Sequence, residues 1–194
     1  ISVRSEVLGP LQAKAMQLPS AVNNFKTKHL NEWVNADTAW MDMRSWDACT
    51  EHGMFIEQFE GQPCWIGLDL ASKTDIAALV AVFRHPEISD AYVTFGKYYL
   101  PEDTVNGAGN SQYGGWMHSG RLIVTPGNVI DFGWIESDLL DMATRYEIQA
   151  VAFDPFQATQ LSTRMLAEGQ PMIEVRPTVL TFSEPMKTLE ALVL

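Results

Sequence analysis

Two short apolar runs in this chain of 194 residues each close on an aspartate. Cys64-Trp65-Ile66-Gly67-Leu68 leads into Asp69, and Ile148-Gln149-Ala150-Val151-Ala152-Phe153 leads into Asp154. Runs of this length and apolarity read as buried strands. A carboxylate at the end of such a strand is costly unless something pairs with it. If the two strands are neighbours in one sheet, their ends bring two negative oxygen clusters together, and a shared proton or a divalent cation relieves the repulsion. A metal-dependent phosphoryl-transfer site requires that arrangement. Either aspartate alone could merely open a turn, Asp154-Pro155 especially.

The order of elements decides whether the two strands meet. Ser5 to Leu18 reads as a helix stopped by Pro19, and residues 1 to about 60 read as an arm. Within it Phe25, Trp33, Trp40 and Trp46 look like anchors for an extended segment packing on a domain. From residue 61 to 194 the punctuation is that of one domain. After the Cys64–Asp69 strand, the tetrad Ala71-Ser72-Lys73-Thr74 is short enough to demand an antiparallel return. The continuous apolar run Ile76–Phe83 suits a central strand covered on both faces. Ala91–Leu100, aromatic and β-branched with polar interruptions, reads as a third strand nearer an edge.

Residues 101 to 130 are rich in Gly, Asn and Pro and read as a connection, with a short helix near Ser111–His118 and a brief extended piece at Leu122–Val124. Asp131 is a candidate N-cap for a helix whose Phe132, Ile135, Leu139, Met142 and Tyr146 recur on one face. The opposite side, with Glu136, Asp138 and Asp141, reads as solvated. The Asp154 strand follows, then a helix ended by Gly169, a fifth short strand at Met172–Val175, and a last helix capped by Ser183 with Pro185 in its first turn. Three antiparallel strands, a helical crossover, then strand, helix, strand and helix is the ribonuclease H-like order, here an α/β fold on a mixed five-stranded sheet with flanking helices. In that order the first strand lies beside the fourth, and Asp69 comes next to Asp154.

Asp69 shares its strand face with Gly67 and Trp65, away from Ile66, Leu68 and Leu70, and the small Gly67 leaves room for a ligand. Magnesium or manganese suits oxygen ligands, and paired ions sit roughly 3.5–4 Å apart in two-metal sites. Asp69 on the central strand is the candidate bridging ligand, with Asp154 binding one of the two ions. Asp75, at the start of the second strand, is a weaker metal candidate, its bland reading being a solubilising strand-edge charge. Lys73 at the hairpin tip is a candidate contact to a nucleic-acid phosphate.

Composition narrows the partners. With 13 Lys+Arg against 24 Asp+Glu the net charge is -11, which argues against a surface that wraps nucleic acid through phosphate neutralisation alone. Contact with DNA would have to be local, metal-assisted or supplied by another part of a larger protein. Four scattered histidines fit no zinc spacing. Two cysteines in an ordinary mixed sequence, with no secretory signal, suit a reducing cytoplasm, and no apolar stretch approaches a membrane span. Neither a Gly-x-Ser-x-Gly elbow nor a Walker phosphate loop occurs.

The block Trp65–Leu79 closely resembles the first two nuclease strands of tailed-phage and prophage terminase large subunits, in their carboxy-terminal nuclease domain. Phe25–Trp33 resembles the segment entering that domain, Thr125–Asp131 its crossover, Val151–Phe156 its second acidic strand, and Phe182–Glu190 a further block, so the likeness runs from about residue 25 to the end. The resemblance implies a metal-dependent endonuclease that cuts concatemeric viral DNA, with Asp69 and Asp154 matching the family's first and second metal-binding acids and Mg2+ or Mn2+ as cofactor. It implies double-stranded DNA, an ATPase domain, a small terminase subunit and a portal as partners, in the host bacterial cytoplasm and transiently at the procapsid. The family's third acid would lie past Leu194. With two of three carboxylates the site would bind metal weakly or hold one ion, so the piece alone could be inactive while its parent cuts. The alternatives are a catalytically incomplete docking module contacting portal or ATPase domain, which the charge supports, and a resolvase or transposase of the same fold, which would carry a more basic surface.

Overall fold

The computed structural model describes residues 5–17, 22, 25–30, 40–70, 75–107 and 111–194. The chain divides into two units, Ile1–Gly53 with Ser183–Leu194, and Met54–Phe182. In the first, α1 (Ser5–Gln17) is followed by a π-helical turn at Lys26–Leu30 and by α2 (Met43–Ala48). The arm expected to be extended is therefore helical around Trp46. Asp42 caps that helix, accepting from the Arg44 amide at 3.2 Å and the Ser45 hydroxyl at 2.9 Å, and these bonds hold its carboxyl below the usual range. Trp40 and Trp46 are 41% and 46% exposed, while Trp33 lies outside the described residues.

The second unit holds β1 (Pro63–Asp69), β2 (Ala77–Arg84), β3 (Tyr92–Pro101), α3 (Glu102–Asn106), α4 (Ser111–His118), β4 (Ile123–Thr125), α5 (Phe132–Arg145), β5 (Glu147–Phe153), α6 (Thr159–Ala167), β6 (Met172–Glu174) and the first turn of α7 (Val179–Val193). The sheet has six strands in the order β4-β3-β2-β1-β5-β6, one more than expected. The added strand is the brief piece after the glycine-rich connection, which pairs parallel to β3 through Tyr99↔Ile123, Leu100↔Val124 and Pro101↔Thr125. Three residues are too few to display a period, and only the tertiary partner makes them a strand. β1–β2 and β2–β3 are antiparallel, whereas β1–β5 and β5–β6 are parallel. No described helix is long and apolar enough to cross a membrane.

One sheet face is the core. Cys64, Ile66 and Leu68 of β1, Leu79 and Phe83 of β2, and Val151 of β5 join Ile135, Leu139 and Met142 of α5 and Leu161 and Met165 of α6 in a single buried cluster. Asp131 caps α5 as expected, accepting from the Gly133 amide at 2.8 Å. β2 was expected to be covered on both faces, but its burial alternates: Ala77, Leu79, Ala81 and Phe83 are buried, while Ala78, Val80 and Val82 are half-buried. The second face of the sheet is thus partly open.

Two charge assignments change. Asp138 is not on a solvated face: its Oδ1 lies 2.5 Å from Lys97 Nζ, and Oδ2 accepts from the buried Tyr99 hydroxyl at 2.6 Å. Glu136 is paired with Arg164, tying α5 to α6. Only Asp141 keeps the expected exposure. The last helix begins at Val179 rather than after Ser183, because Thr178 and Thr181 cap it reciprocally, the Thr178 amide reaching Thr181 Oγ1 at 3.0 Å and the Thr181 amide reaching Thr178 Oγ1 at 3.3 Å. Pro185 consequently sits inside the helix, where it supplies no N–H to the turn below.

Candidate active site

Strand alternation sets the side-chain directions. In β1, Cys64, Ile66 and Leu68 are buried, so Trp65, Gly67 and Asp69 share the opposite, open face. In β5, Val151 and Phe153 are buried, so Ala150, Ala152 and, one residue past the strand, Asp154 take that same open face. The parallel register pairs Gly67 with Ala152 and Leu68 with Phe153. Asp69 and Asp154 each follow the last of these pairs, Asp69 at the end of β1 and Asp154 one residue past β5.

Both aspartates line one cleft of about 460 Å³. Its floor is Gly67, Ala78, Val80 and Ala152, all small or short, and its wall is Val175, Pro177 and Phe182 from the segment after β6. Ala78 is the direct antiparallel partner of Asp69, and Val80 of Gly67, so β2 continues the floor. Asp154 is fixed by the loop that follows it: its Oδ1 accepts from the Phe156 amide at 3.0 Å, the Ala158 amide reaches Pro155 O at 3.3 Å, and Gln157 takes a left-handed φ of 62°. A non-glycine residue held there is locally strained, and such strain persists only where the surroundings impose it.

Among the described residues, neither Asp69 nor Asp154 has an ion-pair partner. Two carboxylates lining one cleft, one oxygen of Asp154 taken by an amide and the others without a hydrogen-bond partner among the described residues, form a donor set suited to a hard cation. They are a pair and not a cage: no group of three His, Cys, Asp or Glu side chains able to hold a metal occurs among the described residues. Asp75 is exposed, stands just ahead of β2 and does not line the cleft. Lys73 lies outside the described residues. Sequence reasoning missed the wall. Ala152 carried a signal, the period-two run of small residues ending in Asp154, whereas Val175, Pro177 and Phe182 reach the cleft only through the path of the chain after β6.

The family model described as terminase large subunit, endonuclease domain, matches residues 5–194. Protein YmfN of Escherichia coli (strain K12) is 31% identical over 201 residues, covering 98% of this chain and 44% of that protein. The terminase large subunit of Enterobacteria phage HK97 is 25% identical over 186 residues, covering 93% of this chain and 36% of that protein. The crystal structure of the HK97 bacteriophage large terminase matches with a TM-score of 0.68 at 23% identity, over 98% of this chain and 40% of that one. The chain spans less than half the length of these relatives.

Proposed function

The chain belongs to the family of terminase large-subunit endonuclease domains, and from that premise we propose that it is a metal-dependent DNA endonuclease in which Asp69 and Asp154 hold Mg2+ or Mn2+. The observation that carries the reading is the parallel β1–β5 register, which aligns the two strand ends on one open face above a floor of small residues. When bound, such a cation supplies Lewis acidity that activates water and stabilises the charge developing on the leaving oxygen of a phosphodiester. The remaining work belongs to the chain. Asp69 and Asp154 concentrate negative oxygen at one point and so select a cation over a bare phosphate. The Phe156 amide orients the Asp154 carboxylate. Gly67, Ala78 and Ala152 leave the depth a phosphate needs to approach, and Val175, Pro177 and Phe182 wall one side.

The substrate of the longer protein would be concatemeric double-stranded DNA, and its partners an ATPase domain, a small terminase subunit and a portal, in the bacterial cytoplasm. A net charge of -11 means that affinity for a long duplex would come chiefly from those parts. The same charge favours the second reading, a docking module with idle carboxylates. Supercoiled plasmid incubated with manganese separates the two. Nicking by the chain, abolished in Asp69→Ala and in Asp154→Ala, is expected. Nicking that survives both substitutions would remove the aspartates from the site, and intact plasmid with the unsubstituted chain would favour docking.

A further inference from the structure

The row of the sheet that bears the carboxylates carries one more feature. Asp69 pairs with Ala78, and Ala78 with Tyr98, so Tyr98, Ala78 and Asp69 stand in line across three strands on the open face, with Asp154 one residue past the end of β5. At about 4.8 Å per strand, the Tyr98 backbone is roughly 10 Å from that of Asp69. The adjacent row is Gly96, Val80, Gly67 and Ala152. Gly96 decides where the Tyr98 ring goes. A Cβ at position 96 would lie 2.5 Å from the Tyr98 hydroxyl oxygen, 2.6 Å from Cζ and 2.8 Å from Cε2. The ring is therefore folded back along its own strand, in the space any other residue at position 96 would fill. It remains 42% exposed, and its hydroxyl has no hydrogen-bond partner among the described residues.

We propose that Tyr98, seated on Gly96, is a stacking platform for an unpaired nucleobase next to the phosphate presented to Asp69 and Asp154, so that the preferred substrate is a DNA strand locally freed from its complement. The inference rests on the nuclease reading above and makes Tyr98 a positioning residue. Stacking suits this chain because every base offers a π-face and the contact needs no positive charge, which a protein of net charge -11 has little of to offer. It also selects for strand opening, since a base inside a duplex has both faces covered by its neighbours.

The test is fluorescence anisotropy of one labelled oligonucleotide, as a single strand and as a blunt duplex, with calcium added as the hard cation. The chain is expected to bind the single strand more tightly than the duplex. Tyr98→Ala should weaken single-strand binding by about five- to a hundredfold, with thermal unfolding unchanged, and Tyr98→Phe should restore it. Gly96→Ala, which displaces the ring without removing it, should reproduce the loss. Tyr92→Ala, an equally exposed tyrosine on the same strand and face but roughly 20 Å away, should do nothing. Single-strand binding unaffected by Tyr98→Ala, or no preference over duplex, would overturn the proposal. Metal-dependent nicking lost in Asp69→Ala beside unaltered binding by Tyr98→Ala would overturn this inference alone, and a Tyr98-dependent strand preference without any nicking would overturn the nuclease reading alone.

Discussion

Replacing Gly67 by valine should raise stability while lowering activity, because the position is open structurally and occupied functionally. Glycine inside a strand costs roughly 0.5–1 kcal/mol relative to alanine, and β-branched residues suit strands still better. Nothing lies within 4 Å of a Cβ built at Gly67, so the backbone there admits a side chain without a Cβ clash. A stabilisation of about 0.5–1 kcal/mol corresponds to a Tm rise of roughly 1–4 °C. The new methyl groups, however, enter the cleft between Val80 and Ala152, beside Asp69. A displacement on the order of 1 Å at a reacting centre costs about a hundredfold, and manganese-dependent plasmid nicking should fall by that order. Thermal unfolding and nicking measured on the same preparation decide the matter. A lowered Tm would show that the open face is crowded at Gly67, and full nicking by a more stable Gly67→Val protein would show that substrate does not use this cleft.

The Tyr99–Asp138 bond gives a pH prediction. Burial, reinforced by the hydrogen bond and charge of Asp138, pushes the Tyr99 phenol well above its ordinary range. The unfolded chain ionises that phenol near pH 10, so its contribution is fully present below about pH 10 and is lost as pH rises beyond it. The urea midpoint should decline through that window, and Tyr99→Phe should flatten the decline. Asp138→Ala leaves the buried hydroxyl without its acceptor and should cost about 1–3 kcal/mol at neutral pH, read from the same midpoint; a loss within error would deny the bond its structural weight. Thiol titration supplies another check. Cys49 is exposed, whereas Cys64 is buried and its thiol is pushed up to about 11. One thiol should react with an aromatic disulfide reagent in the folded protein and two in urea, and two fast native thiols would contradict the β1 burial pattern.

What could be read from the residues was what local periodicity encodes. β1, β2 and β5 announced themselves by apolar runs, and α5 by its three-and-four spacing and the Asp131 cap. The adjacency of β1 and β5, the strands that lead to Asp69 and Asp154, was legible from the order of the elements. Features made by distant partners stayed hidden. Asp138 sits 41 residues from Lys97 and 39 from Tyr99, and nothing on its own helix distinguishes it from a solvated charge. β4 exists only through its parallel partner. The Thr178–Thr181 cap is hidden in the sequence by the more conspicuous Ser183 and Pro185, which signal a helix start five residues later. The cleft wall and the seat of Tyr98 on Gly96 likewise depend on packing.

Crystals of the chain soaked in manganese and measured at the metal's absorption edge test the claim on which the nuclease reading stands. Anomalous density should appear between the Asp69 and Asp154 carboxylates, above Gly67 and Ala152, and should vanish in Asp69→Ala crystals. Density elsewhere on the sheet, or density at the cleft that survives the loss of Asp69, would contradict it.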